Sequence, residues 1–208
     1  MTALGYFSLG ATFGFAAAVQ PGPTQTFLAS QAVANGWRRT LPAALAPLVS
    51  DVPIAFVALV VLSRMPPWLL RSLRAAGGVF LLYLAYGAYR TWREHDATTA
   101  AATDHSGGKT LAQATVVNLL NPNPYLGWSL VLGPLVLEGW SAGPASGLAA
   151  VAGFYLAMLA SLAAIVVLFA AARTLGARVN RVLIGLAAIG LAGFGAWQLV
   201  LAAVEAGR

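Results

Sequence analysis

Gln20-Pro21-Gly22-Pro23 interrupts the first long apolar stretch of the chain, and Asn121-Pro122-Asn123-Pro124 interrupts another at an offset of 101 residues. A proline lacks a backbone N–H and clashes with the preceding helical turn, so two prolines spaced by two residues predict a broken helix. In hydrocarbon, a broken backbone is tolerated only where it is buried in protein or lines a cavity. Breaks at corresponding positions of two halves are a strong sequence indication of a transporter's binding site.

The composition is that of a membrane protein. Of 208 residues, 59% are hydrophobic and only 9% are charged, whereas soluble domains carry about 25% charged residues. Spans of about 20 residues predict an all-α polytopic protein with six transmembrane helices in a lipid bilayer, of which helices 1 and 4 are broken at the proline motifs. Cysteine is absent, which excludes disulfides and thiolate metal sites.

A polar stretch divides the chain into two parts of three spans each. The apolar segments predict spans at about 4–35, 41–62, 68–92, 111–137, 145–172 and 182–204. Residues 93–109 are predicted to form a flexible cytoplasmic linker between a first repeat, 1–92, and a second repeat, 110–208. His95 and His105 both fall in this linker, and we assign them no metal site.

The two halves resemble each other in their prolines and glycines. Besides the paired proline motifs, Gly36-Trp37 matches Gly139-Trp140 at an offset of 103, Pro42 matches Pro144 at 102, and Gly87 matches Gly195 at 108. Because each half has an odd number of spans, the second half enters the membrane from the opposite side, which gives a 3+3 inverted-topology repeat. A chance match in a chain rich in glycine and proline is the alternative, and we favour the repeat.

Basic residues predict the orientation rather than a nucleic-acid partner. The net charge is +6, and the lysines and arginines lie mostly between apolar spans. Eight of the twelve flank the loops after spans one, three and five. The positive-inside rule therefore predicts that these loops are cytoplasmic and that both termini lie outside.

Asp51 is the acidic residue that lies well inside a predicted span. A carboxyl group at mid-membrane is costly and is by default a functional hypothesis, so we predict that Asp51 couples transport to protons. The alternative is that Asp51 only forms structural hydrogen bonds and never exchanges a proton. The repeat places Gly153 at the corresponding position, so no second acid mirrors Asp51.

The broken helices predict a substrate site with two poles. A half-helix that begins after Pro23 presents free N–H groups around Thr24 and Gln25, which suit a carboxylate. Half-helices that end near Val19 and Leu119 present unpaired carbonyl groups, which suit an ammonium group or a small cation. Both poles together fit a zwitterion such as an amino acid, although the neighbouring amides are also able simply to satisfy freed backbone groups. The predicted substrate-binding residues are Gln20, Pro21, Gly22, Pro23, Thr24, Asn118, Asn121, Pro122 and Asn123.

Several other function classes find less support in the sequence. No arrangement of nucleophile and base is visible, so we expect no enzyme activity and no cofactor. A small-cation or metal-ion efflux protein would use the same broken helices and stays open, as does a membrane sensor that transports nothing. Small residues at four-residue spacing (Gly10, Gly14 and Ala18) serve either internal packing or a homodimer, and we favour internal packing.

The combination of motifs resembles the lysine exporter (LysE/RhtB) translocator family over nearly the whole chain. The resemblance rests on Pro-Gly-Pro in the first span, Asn-Gly-Trp-Arg-Arg after it, an acid in the second span and Asn-Leu-Leu-Asn-Pro-Asn-Pro opening the fourth. It implies a six-span exporter of amino acids or related metabolites in the bacterial inner membrane, driven by proton antiport. The matching positions are Pro21, Gly22, Pro23, Asp51, Asn118, Asn121 and Pro122. The chain departs from the family pattern at Gln20, where asparagine is common, and at Ala46-Pro47, where glycines are typical.

Overall fold

The computed structural model describes residues 1–61, 67–94, 107–172, 174 and 176–206, and every regular element in these ranges is a helix. The α-helices are α1 (Ala3–Val19), α2 (Pro23–Asn35), α3 (Trp37–Thr40), α4 (Ala46–Val61), α5 (Pro67–Glu94), α6 (Gly107–Leu120), α7 (Pro122–Gly127), α8 (Gly133–Ala142), α9 (Pro144–Ala172) and α10 (Ala177–Ala206). A 3-10 segment, Leu41–Leu45, precedes α4, and a π-helical segment, Trp128–Leu132, separates α7 from α8. Of the predicted linker, residues 93–94 end α5 and 107–109 begin α6, while His95 and His105 lie outside the described residues.

Several helices are long and apolar enough to cross a membrane. Among the described residues these are Trp37–Ala58, Pro144–Ala172 and Arg181–Glu205, and α1 with α2 forms a fourth candidate that bends by 64°. The chain is therefore a multi-pass membrane protein. Neither α5 nor the interrupted series from α6 to α8 meets the same criterion, so the count of six spans stays a prediction.

The first proline motif breaks the helix as predicted. Helix α1 ends at Val19 because Gln20 adopts an extended conformation, with φ −61° and ψ 122°. Gly22 is also extended, and Pro23 occupies the first turn of α2, where its missing N–H leaves no helical bond unmade.

The second proline motif also breaks its helix, over a shorter length. Asn121 is extended, with φ −84° and ψ 124°, and its side-chain oxygen accepts a hydrogen bond from the backbone N–H of Asn123. Pro122 begins α7, and Pro124 already lies inside this helix. The π-helical turn that follows is a rare conformation, often found near functional sites.

Glycines bring α1 and α9 into close contact along their length. A Cβ added to Gly10, Gly14 or Gly153 would lie 2.1 Å from a backbone oxygen of the facing helix. The small-residue stripe of α1 therefore serves internal packing, as the sequence predicted. Gly153, the residue that corresponds to Asp51 in the predicted repeat, is therefore required for this close crossing.

A second close crossing joins α5 and α10. A Cβ on Gly78 would lie 2.8 Å from the carbonyl oxygen of Gly195, and a Cβ on Gly195 would lie 2.9 Å from that of Gly78. Gly87, which the sequence analysis matched with Gly195 as an equivalent position of the repeat, has nothing within 4 Å of its added Cβ. Gly195 therefore packs against Gly78, while the correspondence of Gly87 with Gly195 in the two repeats stays a prediction.

Replacing Gly14 by alanine is expected to destabilise the protein. The new methyl group would collide with backbone atoms, which cannot move aside as a side chain does, and overpacking of this kind costs about 1–3 kcal/mol. Thermal unfolding in detergent is expected to show a lowered midpoint for Gly14→Ala. Gly193→Ala is the matched control, because an added Cβ at Gly193 meets nothing within 4 Å. Equal midpoints for Gly14→Ala and the wild type would contradict the tight crossing.

Candidate functional site

A cavity of about 560 Å³ lies between the two helix breaks. This volume falls within the range of small-molecule sites in proteins. Its polar lining consists of Gln20, Thr24, Gln25, Asp51, Asn118, Asn121 and Asn123. Its large apolar lining residues are Phe13, Pro47, Leu126, Trp128, Leu130, Val131, Phe154, Met158 and Leu162.

Seven of the nine predicted substrate-binding residues line this cavity: Gln20, Pro21, Gly22, Thr24, Asn118, Asn121 and Asn123. The other two, Pro23 and Pro122, are buried at the first positions of α2 and α7. Pro23 borders a separate small void next to Gln198. These two prolines therefore shape the breaks without lining the cavity.

Asp51 lines the cavity from α4 and is almost completely buried, with 3% of its surface exposed. One carboxylate oxygen, Oδ1, accepts a hydrogen bond of 3.2 Å from the side-chain amide of Asn118. The other oxygen, Oδ2, accepts one of 3.2 Å from the hydroxyl of Tyr155 on α9. The acid thus faces protein groups and the cavity rather than lipid.

Asn118 extends this contact into a network that joins four helices. Its side-chain Nδ2 donates to Ser50 Oγ at 2.7 Å as well as to Asp51. Its side-chain oxygen accepts a bond of 3.4 Å from the hydroxyl of Thr24 on α2. Residues of α2, α4, α6 and α9 are therefore linked through one asparagine and one aspartate.

Trp128 is a further buried polar residue of the cavity wall. It begins the π-helical segment, and 8% of its surface is exposed. Its indole N–H lies near the Asp51 carboxylate but outside hydrogen-bonding geometry, and within the described residues this buried group has no partner. The ring of Trp128 packs edge-on against Phe154, with centroids 6.4 Å apart.

The carbonyl groups at the helix breaks are less open than the sequence predicted. The side-chain amide of Gln25 reaches back across the first break and donates to the carbonyl oxygens of Ala17 at 3.1 Å and Ala18 at 3.0 Å. At the second break, the hydroxyl of Tyr125 donates to the carbonyl oxygen of Leu119 at 3.0 Å. The prediction of an unpaired carbonyl at Leu119 is therefore wrong, and the end of α1 is largely occupied by Gln25.

The amino end of α2 is open in the way that the sequence predicted. Gly22 precedes this helix and provides no side-chain cap. Because Pro23 has no N–H, the first free backbone donors belong to Thr24 and Gln25, two residues that line the cavity. Backbone donors at a helix start favour an anionic group such as a carboxylate.

Some residues of the site were not found from the sequence. For Gln25 the sequence indicated the backbone N–H but not the side-chain hydrogen bonds across the break. Ser50 directly precedes Asp51, so its position in the chain was an available signal. Phe154, Met158 and Leu162 are spaced by four residues and therefore share one helix face, but apolar residues at that spacing do not distinguish a cavity from a core. Tyr155 carries no pattern that would connect it to Asp51, 104 residues away.

Proteins named as exporters are among the relatives of the chain. It is 30% identical to the arginine exporter protein ArgO of Shigella flexneri over 135 residues, which cover 62% of this chain and 63% of the relative. It is 29% identical to ArgO of Escherichia coli K12 over the same shares, and 29% identical to that of Salmonella typhi over 64% of each chain. The chain thus spans less than two thirds of the length of these relatives.

No solved structure matches the chain. A family model described as LysE type translocator matches residues 15–202, which is most of the sequence. The chain therefore belongs to the LysE type translocator family.

Proposed function

We propose that this protein is a secondary active exporter of amino acids or related small metabolites, which works by proton antiport with alternating access. The observation that carries the proposal is that both helix breaks and the buried Asp51 border one cavity. Breaks of this kind supply ligands to substrates in many secondary transporters. Membership of the translocator family and relatives named arginine exporters support the same substrate class.

The substrate carboxylate binds at the open start of α2. Backbone N–H groups near Thr24 and the positive end of the helix dipole both favour an anion at this place. The side-chain amides of Gln20, Asn121 and Asn123 line the same cavity and supply oxygens for the substrate ammonium group. Proposed ligands for both charged groups of a zwitterion thus come from the two breaks.

Asp51 carries the coupling proton. Its partner Tyr155 has a hydroxyl group, which is able to donate a hydrogen bond to a carboxylate or accept one from a carboxylic acid. Asn118 is able to donate to the other oxygen in both states. The two contacts therefore accommodate a gain or loss of the proton without leaving the acid unpaired, which supports this role.

The alternating motion takes place between two inverted halves of three spans each. The packing supports this arrangement: α1 of the first half lies against α9 of the second, and α6 of the second lies against α4 and the 3-10 segment of the first. Helices α5 and α10, the third spans of the two halves, pack against each other. A two-fold relation between the halves would produce these pairings. The protein lies in the bacterial inner membrane, with the loops after odd-numbered spans in the cytoplasm.

Efflux of a small cation is less well supported. The carbonyl oxygens of Ala17, Ala18 and Leu119, which a cation would use, already accept side-chain hydrogen bonds. Among the described residues there is also no group of three or more His, Asp or Glu side chains suited to a metal ion.

Replacing Asp51 by asparagine is expected to abolish export driven by a pH gradient. Asparagine has nearly the same shape but cannot carry a proton, so substrate exchange without net proton movement is expected to continue. Uptake into inverted vesicles with an imposed pH gradient measures the first activity, and counterflow in proteoliposomes measures the second. Glu138→Gln is the matched control, since Glu138 does not line the cavity. Undiminished pH-driven transport by Asp51→Asn at every pH would reject the coupling role.

Replacing Gly22 by valine is expected to weaken substrate binding. A Cβ at this position would lie 3.2 Å from the side-chain oxygen of Gln25. The larger valine would displace Gln25 and crowd the start of α2, which corresponds to a loss of affinity of about tenfold or more. Half-saturation in counterflow measures the effect, and Gly22→Ala provides a smaller, graded change. An unchanged half-saturation concentration in Gly22→Val would place the substrate elsewhere.

A further inference from the structure

We infer that the bound amino acid has a neutral, apolar side chain, which occupies a recess of the cavity formed by Phe13, Trp128, Phe154, Met158 and Leu162. This inference deepens the proposed function and rests on it. We call these five residues the apolar recess. They line the same cavity as the polar residues of the two breaks.

The apolar recess is built from three separate parts of the chain. Phe13 comes from α1, Trp128 comes from the π-helical segment, and the other three residues share one face of α9. The rings of Phe13 and Phe154 are stacked, with centroids 5.5 Å apart and planes inclined by 26°. Because one face of each ring is covered by the other, the pair is better suited to contact with hydrocarbon than to holding a cation over an open face.

The described lining residues of the cavity provide no free counterion for a charged substrate side chain. Asp51 is the one ionisable residue among the described residues that line it. Both oxygens of Asp51 already accept hydrogen bonds, and 3% of the residue is exposed. A guanidinium group binds a carboxylate best through two parallel hydrogen bonds, and the enclosed Asp51 does not present both oxygens freely.

A charged side chain in the apolar recess would therefore lose its water without gaining a counterion. This cost is large for a full charge, whereas apolar groups gain from the same transfer. Burying a leucine-sized side chain strengthens binding by roughly 10- to 100-fold relative to glycine. The cavity is therefore expected to discriminate in favour of leucine and phenylalanine and against arginine, lysine and glutamate.

Arginine gives the sharpest comparison, because the relatives described above are named as exporters of that amino acid. Proteoliposomes that contain the purified wild-type protein are loaded in turn with L-leucine, L-phenylalanine, glycine, L-arginine or L-glutamate. Counterflow of the same compound in labelled form is then measured. Leucine and phenylalanine are expected to exchange at least about tenfold more efficiently than arginine or glycine. Arginine exchange that equals or exceeds leucine exchange overturns this inference and leaves the proposed exporter standing. Exchange of none of the five overturns the proposed export of amino acids and this inference together.

A pair of phenylalanine variants tests the location of the side chain. Phe13→Ala removes part of the apolar recess and is expected to lower the ratio of leucine to glycine exchange by at least about threefold. Phe15→Ala is the matched control, because Phe15 lies on the same helix, is 56% exposed and does not line the cavity. Its leucine-to-glycine ratio is expected to equal that of the wild type.

The two readouts separate recognition from folding. Glycine has no side chain to place in the apolar recess, so a loss that affects leucine and glycine equally reports on the fold alone. A leucine-to-glycine ratio of Phe13→Ala that equals the wild-type ratio would overturn the assignment of the recess. Thermal unfolding of both variants in detergent accompanies the transport measurements.

Discussion

Backbone N–H and C=O groups that lose their helical partners at a break within a membrane must form hydrogen bonds inside the protein. The side chains that form these bonds determine much of the polar lining of the cavity. The side chain of Gln25 donates hydrogen bonds to two carbonyl groups at the end of α1, and that of Tyr125 donates one at the end of α6. The side-chain oxygen of Asn121 accepts a hydrogen bond from the N–H of Asn123. Water is not available in hydrocarbon to form hydrogen bonds with these groups. Two of these three residues, Gln25 and Asn121, also line the cavity, so the support of the breaks and the polarity of the cavity have one origin.

Asp51 connects this cavity to the rest of the fold. Its bonds to Asn118 and Tyr155 reach α6 and α9, and Asn118 continues to Thr24 at the start of α2. This network therefore connects the acid to residues beside both breaks and to α9, the helix that packs along α1. In the proposed mechanism, this network links the protonation of Asp51 to substrate binding, because Thr24 belongs to the proposed carboxylate site.

The sequence predicted those features that a local rule determines. Prolines at 21, 23 and 122 fixed the places where the helices break, and the isolated position of Asp51 in an apolar span indicated that it faces protein. Features that depend on the rotation of one helix against another were not predictable in this way. The hydrogen bond between Tyr155 and Asp51 is one example, and the close contact between Gly78 and Gly195 is another. The occupied carbonyl of Leu119 was missed because a tyrosine six residues away gives no sign of folding back.

Helix α9 places two kinds of residue side by side. Gly153 permits no side chain because the backbone of α1 lies against it, while its neighbour Phe154 and the residues one and two turns further along line the cavity. The glycine contact and the cavity wall thus occupy different positions of the same helix. Another side chain at Met158 or Leu162 would therefore reshape the wall of the cavity without touching the glycine crossing that holds α1 against α9.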